Sequence, residues 1–171
     1  MEEQNEAIDE SQPVCIMMVG LPGSGKSTQA KLIRELHAEN RVLAYASSDA
    51  FIEAKAKEEN TTYNKAWAKY IDHADRAFHK TINDAIAMKH DILIDRTNVD
   101  AASRGKFTKK LTEKGYKLIA IVVQCDPIEI LERNEARKPS GRSIPENVLA
   151  SFAKRFQYPT VEEGFEVILA N

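Results

Sequence analysis

A glycine-rich segment near the amino end of the chain restricts its possible folds more than any other feature. Residues 20–28 read GLPGSGKST, which fits the pattern G-x-x-x-x-G-K-[ST]. An apolar run at residues 14–19 precedes the segment, and residues 26–37 have the apolar spacing of a helix. Glycines let the backbone curl so that successive N–H groups point at phosphate oxygens, and the helix dipole adds positive potential. The segment is therefore predicted to be a phosphate-binding loop between a strand and a helix.

Each part of this loop has an expected partner in a nucleoside triphosphate. The Lys26 ammonium is expected to contact the β- and γ-phosphates, and the Ser27 hydroxyl is expected to bind a metal ion. ATP is therefore the predicted phosphate donor, and Mg²⁺ is the predicted metal. The loop residues predicted to bind the donor are Gly20, Gly23, Ser24, Gly25, Lys26, Ser27 and Thr28.

Strand-like apolar runs alternate with helix-like segments along the rest of the chain. Further strands are predicted at residues 42–46, 92–95, 118–124 and 165–169, and the run at 118–124 is apolar enough to be buried on both faces. Helices are predicted at residues 50–59, 64–88, 100–114, 127–134 and 145–156. The alternation predicts an α/β protein with a P-loop kinase fold, in which helices and a helical lid flank a central parallel sheet of about five strands.

Length and composition predict one domain with an acidic tail. The chain has 171 residues, and the first 12 contain five acidic and no basic side chains, unlike a signal or transit peptide. We therefore predict a disordered acidic tail at residues 1–12 and a single domain at residues 13–171. No apolar run is long enough for a membrane helix, so the cytoplasm is the expected compartment. Cys15 and Cys125 lie in apolar runs and are predicted to be buried thiols.

Charge is distributed unevenly. The whole chain has 24 basic and 26 acidic side chains, whereas residues 96–155 have 13 basic and 7 acidic ones. A basic region suits a polyanionic substrate. An ordinary lysine-rich helix surface is the preferred interpretation for Lys106, Lys109, Lys110 and Lys114.

Two acids follow predicted strands, at the sheet edge where parallel sheets bind ligands. Asp49 is the candidate general base for transfer of a phosphoryl group to a hydroxyl, and an N-cap for the next helix is an equally good interpretation of its position. Asp95 ends an apolar run, as in a Walker B element, where it could hold Mg²⁺ through water or fix the acceptor. A simple strand-terminating turn is its alternative.

The third candidate element combines arginines with a flexible loop. Arg133 and Arg137 are four residues apart and therefore share a helix face, and a polar loop follows at residues 135–143. Planar guanidinium groups suit phosphate oxygens, so this element is predicted to be a mobile lid. Surface ion pairs with Glu129, Glu132 and Glu135 are the alternative, although exposed pairs contribute little stability.

Apolar residues recur every three or four positions in the predicted helix at residues 64–88. The stripe comprises Trp67, Tyr70, Ile71, Ala74, Phe78 and Ile82. Such spacing is more typical of a core face than of a platform for nucleobases. The four histidines have no metal-ligand spacing, and we assign them no function.

Several blocks of the chain resemble the 5′-hydroxyl polynucleotide kinase family. Residues 95–104, DRTNVDAASR, are similar to the family's D-x-T-N-x-D-A-A-S-R stretch. Arg133, Asn134 and Arg137 look like its lid motif, and residues 144–145 and 159–165 resemble its carboxyl-terminal signature. The resemblance covers nearly all of the predicted domain.

The resemblance implies roles at the matched positions. Lys26 and Ser27 would bind phosphate and Mg²⁺, and Asp49 would activate the acceptor hydroxyl. The lid arginines would contact the donor phosphates, which makes Asp49, Lys26 and Arg137 the predicted catalytic residues. Asp95, with its neighbours Arg96 and Asn98, would lie near the acceptor.

One departure from the family leaves the acceptor open. Ile52 stands where the phage enzymes have an arginine for the acceptor phosphate, and Arg96 could substitute for it. The leading hypothesis is ATP-dependent phosphorylation of the 5′-hydroxyl end of DNA or RNA. The alternatives are a small-molecule kinase, acting on a nucleoside monophosphate or a sugar acid, and a non-catalytic nucleotide-binding or RNA-binding module.

Overall fold

A computed structural model describes residues 12–37 and 39–170 of the chain. Five parallel strands form one sheet in the order β2-β3-β1-β4-β5, as predicted. The predicted acidic tail lies almost entirely outside the described residues. The strands are β1 (Val14–Val19), β2 (Leu43–Ala46), β3 (Asp91–Ile94), β4 (Lys117–Val122) and β5 (Val167–Ala170).

Six α-helices and two short 3₁₀ turns connect the strands within the described residues. The helices are α1 (Lys26–Leu36), α2 (Ser48–Glu58), α3 (Tyr63–Met88), α4 (Ala101–Glu113), α5 (Pro127–Ala136) and α6 (Glu146–Arg155). The 3₁₀ turns are η1 (Lys138–Ser140) and η2 (Val161–Glu163). None of the described helices is both long enough and apolar enough to cross a lipid bilayer.

Alternation along β1 divides the core between the two faces of the sheet. Cys15, Met17 and Val19 belong to one apolar cluster, which also contains Phe78 of α3 and Phe107 of α4. The intervening residues of β1 pack on the other face in a second cluster that includes α1. The sheet is thus the middle layer of three, and all four residues of β3 are buried.

Two predictions about burial were wrong. Strand β4 is not buried on both faces, because Lys117, Ile119 and Ile121 on one of its faces are only partly buried. Cys125 follows β4 in a loop instead of lying within the strand, and its Sγ atom contacts Glu129 at 3.1 Å. Cys15, by contrast, is buried in β1 as predicted.

Asp91, which the sequence analysis did not single out, connects the amino-terminal ends of two strands of the sheet. Asp91 begins β3 and is 5% exposed. It accepts a 2.8 Å hydrogen bond from the Val14 N–H, contacts His37 Nε2 at 2.8 Å and pairs with Arg41. These contacts link β1, β3 and the end of α1 at the amino-terminal ends of the strands, opposite the phosphate loop. His37 therefore has a structural role.

Candidate active site

The loop between β1 and α1 has the backbone geometry of a phosphate cradle. Gly23 and Gly25 have φ angles of +85° and +105°, which side chains with a Cβ rarely adopt. A Cβ on Gly20 would lie 2.6 Å from the carbonyl oxygen of Val123, so only glycine fits there. The N–H groups of Gly23, Gly25, Lys26 and Ser27 donate to no other described residue. They are therefore available for phosphate oxygens.

Lys26 lies folded against this loop. Its Nζ atom donates a 2.7 Å hydrogen bond to the Leu21 carbonyl, and the residue is only 8% exposed. Burial lowers the pKa of Lys26 from 10.5 to about 8, although the Asp95 and Asp49 carboxylates act in the opposite direction. Because no carboxylate among the described residues bonds to it, this desolvated ammonium would gain strongly from a bound phosphate.

A single cavity brings the loop and the predicted acids together. It has a volume of about 530 Å³, within the range of small-molecule sites. The phosphate loop forms one side, and the start of α2, the turn after β3, the start of α3, the segment after α5 and helix α6 form the rest. Of the predicted catalytic and acceptor-binding residues, the cavity is lined by Lys26, Asp49, Asp95, Arg96 and Arg137.

Asp49 is not the N-cap of the helix that contains it. Ser47 has that role, because its Oγ atom accepts the N–H of Ala50 at 3.2 Å. The exposed Asp49 side chain instead lines the cavity, where its Oδ1 atom accepts a 2.7 Å hydrogen bond from the Tyr63 hydroxyl. Burial and the Asp49 charge raise the pKa of Tyr63, so the phenol remains a donor. The capping interpretation of Asp49 was therefore wrong.

Asp95 has a matching partner on the neighbouring strand. Its Oδ2 atom accepts a 2.7 Å hydrogen bond from the Tyr45 hydroxyl, and its N–H donates to the Ala46 carbonyl at 2.9 Å. The residue is 6% exposed, but it borders the cavity. Burial and Asp95 together raise the pKa of Tyr45. Each of the two acids is thus held by a tyrosine hydroxyl from another element.

The position of the departure from the family pattern faces away from the cavity. Ile52 is fully buried between α2 and α3, in a cluster with Ala56, Ala66 and Ala74. Arg96 does line the cavity, and its guanidinium lies 3.6 Å from the ring centroid of Phe78. The same group bonds to Ser48 and Asp75.

Asn98 does not fit its predicted place at the acceptor. Its side chain is buried and does not line the cavity, and its Nδ2 atom donates a 2.8 Å hydrogen bond to the Met18 carbonyl. The residue also has a φ of +46°, a conformation that asparagine tolerates better than most residues. Asn98 therefore fixes the turn after β3, and its assignment to the acceptor was wrong.

Both lid arginines lie over the phosphate loop. Arg133 donates a 2.9 Å hydrogen bond to the Gly23 carbonyl while it also pairs with Glu129, so the ion-pair interpretation holds alongside the phosphate-loop contact. The Nη1 atom of Arg137 is 3.9 Å from where a Cβ on Gly23 would lie. Burial, Arg142 and Arg133 lower the pKa of Arg137, although Asp49 acts in the opposite direction.

The loop after α5 is more ordered than its composition predicted. Helix α5 continues to Ala136, and η1 follows where an open loop was expected. Asn134 closes the segment with two 2.8 Å hydrogen bonds, one to the carbonyl and one from the N–H of Ile144. The two ends of the lid segment are therefore joined through one side chain.

Trp67 corrects the interpretation of the α3 stripe. Ala74, Phe78 and Ile82 are buried as predicted, but Trp67 is 47% exposed and lines the cavity. Helical spacing identified the helix correctly, but it could not tell which end of the stripe passes beyond the core.

The residues present fit a triphosphate and a metal ion. The free N–H groups, Lys26 and the lid arginines are donors for phosphate oxygens, and the Ser27 hydroxyl borders the same space. Across residues 12–37 and 39–170, no group of three His, Cys, Asp or Glu side chains could hold a metal ion alone. Phosphate oxygens and water would therefore supply most ligands of a Mg²⁺ bound at Ser27.

Known proteins with similar sequences include kinases and an RNA-associated protein. A mouse heterogeneous nuclear ribonucleoprotein U-like protein 2 is 26% identical over 147 residues, which is 84% of this chain and 20% of that protein. An adenylate kinase of Limosilactobacillus reuteri is 27% identical over 89% of this chain and 69% of its own length. A bifunctional polynucleotide phosphatase/kinase of Schizosaccharomyces pombe is 28% identical over 88% of this chain and 31% of its own length. The chain thus spans about a fifth of the first relative and under a third of the last.

Solved structures share the fold. A putative kinase from Chloroflexus aurantiacus superposes with a TM-score of 0.66 at 18% identity, over 94% of this chain and 85% of that one. A chain of the Pnkp1/Rnl/Hen1 RNA repair complex superposes with a TM-score of 0.64 at 20% identity, over 97% of this chain and 49% of that one. The family model described as "AAA domain" matches residues 15–159. The chain therefore belongs to this AAA domain family, and it has the P-loop kinase fold.

Proposed function

We propose that this domain transfers the γ-phosphoryl group of ATP to the 5′-hydroxyl end of a DNA or RNA strand. The observation that carries the proposal is the position of Asp49. Ser47, and not Asp49, caps the helix that contains them, so the Asp49 carboxylate borders the same cavity as the phosphate loop, with the Tyr63 hydroxyl bonded to its Oδ1 atom. A hydroxyl brought beside that carboxylate would face the end of a triphosphate held by the loop.

The donor side of the cavity supplies positive charge. Lys26, Arg133 and Arg137 surround the loop, and charge stabilisation of this kind is the main contribution that proteins make to phosphoryl transfer. Mg²⁺ bound beside Ser27 would neutralise phosphate oxygens. Because Lys26 gives up only a bond to a loop carbonyl, it can turn to a phosphate at little cost.

On the acceptor side, Asp49 receives or orients the proton of the attacking hydroxyl. The hydroxyl oxygen forms a bond to the γ-phosphorus, and the bond from this phosphorus to the β–γ bridging oxygen breaks. ADP leaves with the electron pair, and the proton passes to Asp49 or to solvent. The Tyr63 hydrogen bond holds the carboxylate during this step.

Three observations favour a nucleic acid as the acceptor. Arg96 and Arg142 both border the cavity, where each also pairs with a carboxylate. One curated relative is a polynucleotide phosphatase/kinase, and one structure with the same fold comes from an RNA repair complex. Phosphates of a strand entering the cavity would meet these cations.

A nucleoside monophosphate kinase is the second candidate. It is favoured by the adenylate kinase relative, most of whose length the chain matches. Its acceptor is a phosphate oxygen, which needs no proton acceptor, so this reading leaves Asp49 without a clear role.

Incubation with ATP labelled on the γ-phosphate tests the proposal directly. The acceptors are 5′-hydroxyl DNA, 5′-hydroxyl RNA, the same strands with a 5′-phosphate, nucleoside monophosphates and sugar acids. We expect label only on the strands that end in a 5′-hydroxyl. Asp49→Ala should abolish transfer and keep ATP affinity within a few-fold, whereas Asp72→Ala, an exposed acid outside this cavity, should change neither. Labelling of a monophosphate or a sugar acid alone would refute the proposal.

A further inference from the structure

Trp67 occupies an unusual position for the single tryptophan of the chain. Large aromatic side chains normally bury most of their surface, yet this one is 47% exposed within a cavity. The adjacent Ala66 packs into the cluster between α2 and α3 with no exposed surface. This packing fixes the helix and leaves the indole facing the open space.

The indole lies one helical turn from the residue that holds Asp49. Tyr63 and Trp67 are four positions apart on α3, so they share a face and are about 6 Å apart along the helix axis. The Tyr63 hydroxyl bonds to Asp49, and both aromatic residues line the cavity. A sugar ring bridges a similar span between a 5′-hydroxyl and the base attached to the same sugar.

The cavity that Trp67 lines has both apolar and cationic members. Val148 and Phe152 of α6 line the same cavity. The Arg142 guanidinium lies 5.3 Å from the ring centroid of Tyr63 and pairs with Glu53. A flat apolar ring with a phosphate attached to its sugar matches this combination, whereas a sugar acid offers no such ring.

We propose that Trp67 is the acceptor-base site, against which the 5′-terminal nucleobase of the acceptor strand stacks. The inference rests on the proposed function and names the part of the acceptor that the site recognises. Stacking accepts every base because each has a π-face, so recognition should tolerate any terminal base. It also requires the end to be single-stranded or frayed.

Fluorescence reports on this contact without any turnover. Because Trp67 is the only tryptophan, all indole emission comes from the proposed site. We expect a 5′-hydroxyl oligonucleotide to quench the emission when a non-hydrolysable ATP analogue saturates the donor site. A strand whose terminal nucleoside lacks its base should quench far less at equal occupancy, with occupancy measured by anisotropy of a 3′ label. Equal quenching by the two strands, or none by either, would overturn the inference.

Variants add an independent measurement. Trp67→Ala should weaken strand binding by about 5- to 150-fold, and Trp67→Phe should restore much of the loss. Met88→Ala, which truncates an exposed side chain at the other end of the same helix, is the matched control and should change nothing. The abasic strand should bind wild type and Trp67→Ala equally, and a persistent difference would contradict stacking. Base-dependent quenching with no transfer of label from ATP would support the Trp67 site and refute the proposed kinase activity. Transfer of label with no base-dependent quenching would support the kinase activity and refute the Trp67 site.

Discussion

Arg104 and Glu163 form a bidentate ion pair in the interior, although 59 positions separate them in the sequence. The Nε and Nη2 atoms of Arg104 lie 2.7 and 2.8 Å from the two carboxylate oxygens, and Arg104 is completely buried. Its Nη1 atom donates to the carbonyls of Asn98 and Gln157, at 2.9 Å each. The pair thus joins α4 to the turn before β5. Two of the family-like blocks meet here, outside the cavity.

Removal of one partner should therefore destabilise the fold. We expect Arg104→Ala to lower the free energy of unfolding by about 3–5 kcal/mol, because it removes a completely buried arginine and leaves the Glu163 carboxylate, whose side chain is only 14% exposed, without its cation. Urea denaturation measures the loss. Lys106→Ala, on the exposed side of the same helix, is the control. A loss below about 1 kcal/mol would mean that water satisfies Glu163 in place of the arginine.

Lys26 should lower the free energy of unfolding of the nucleotide-free protein, although it contributes to nucleotide binding. A pKa lowered from 10.5 to about 8 corresponds to a cost of roughly 3 kcal/mol for keeping this ammonium buried. Lys26→Met should therefore raise the free energy of unfolding of the nucleotide-free protein, by about 1–3 kcal/mol at pH 7. The variant should also gain less stabilisation from ATP than wild type does, because it binds the nucleotide more weakly. A thermal melt with and without nucleotide checks both effects, and a less stable empty variant would contradict the prediction.

Nucleotide affinity should fall as the pH rises through about 8, the pKa of Lys26 in the free protein. Below this value the ammonium is present for the phosphates. Above it, binding must first take up a proton, so the affinity declines towards tenfold per pH unit. Isothermal titration between pH 6.5 and 9.5 measures the profile, and Lys26→Met should give a flat one.

Stability should change with pH in the opposite sense. Between pH 8 and 10.5 the unfolded chain keeps the proton on Lys26 that the folded chain has lost. The free energy of unfolding of wild type should therefore rise over this window relative to that of Lys26→Met. A constant difference between the two proteins would show that the buried ammonium keeps its ordinary pKa.

Tyr63 should position the proposed base without touching the donor. Loss of a hydrogen bond to a charged group is worth about 1.5–3 kcal/mol, so Tyr63→Phe should reduce kcat/KM for the acceptor by about 10- to 100-fold. The KM for ATP should not change. Tyr158→Phe, an exposed tyrosine outside the cavity, is the matched control. An unchanged acceptor rate in Tyr63→Phe would remove the positioning role.

Asn98 should affect stability and not substrate binding. Its amide is the donor to the Met18 carbonyl, and alanine cannot replace it or tolerate the positive φ as well. Asn98→Ala should cost about 1–3 kcal/mol in the free energy of unfolding. The KM for the acceptor should stay within twofold when it is measured on folded protein, and a larger increase in KM would restore Asn98 to the acceptor site.

Local patterns in the sequence were sufficient for the sheet, the phosphate loop and the positions of Asp49 and Asp95. A strand that ends in a glycine-rich turn, and acids that follow apolar runs, are recognisable within about ten residues. The partners of the two acids were not recognisable. Tyr63 and Tyr45 reach Asp49 and Asp95 from 14 and 50 residues away, and only the packed fold brings them together.

Two further errors have a common physical cause. The apolar spacing of α3 includes Trp67, and the pattern cannot show that Trp67 borders a cavity while Ala74, Phe78 and Ile82 enter the core. Asn98 lies beside Asp95 and Arg96 in the sequence, yet one residue in a left-handed conformation turns its amide inwards. In both cases periodicity or proximity was correct, but the direction of the side chain depended on tertiary contacts.

The register between β2 and β3 sets the relative positions of Asp49 and Asp95. Ala46 lies opposite Ile94, so the two strands end level, and the acids that follow them start from a common line. One inserted residue in either strand would displace its acid by about 3.3 Å and turn the apolar side chains of that strand to the wrong layer. An insertion in either strand would therefore prevent correct folding, and it would not yield a folded protein with reduced activity.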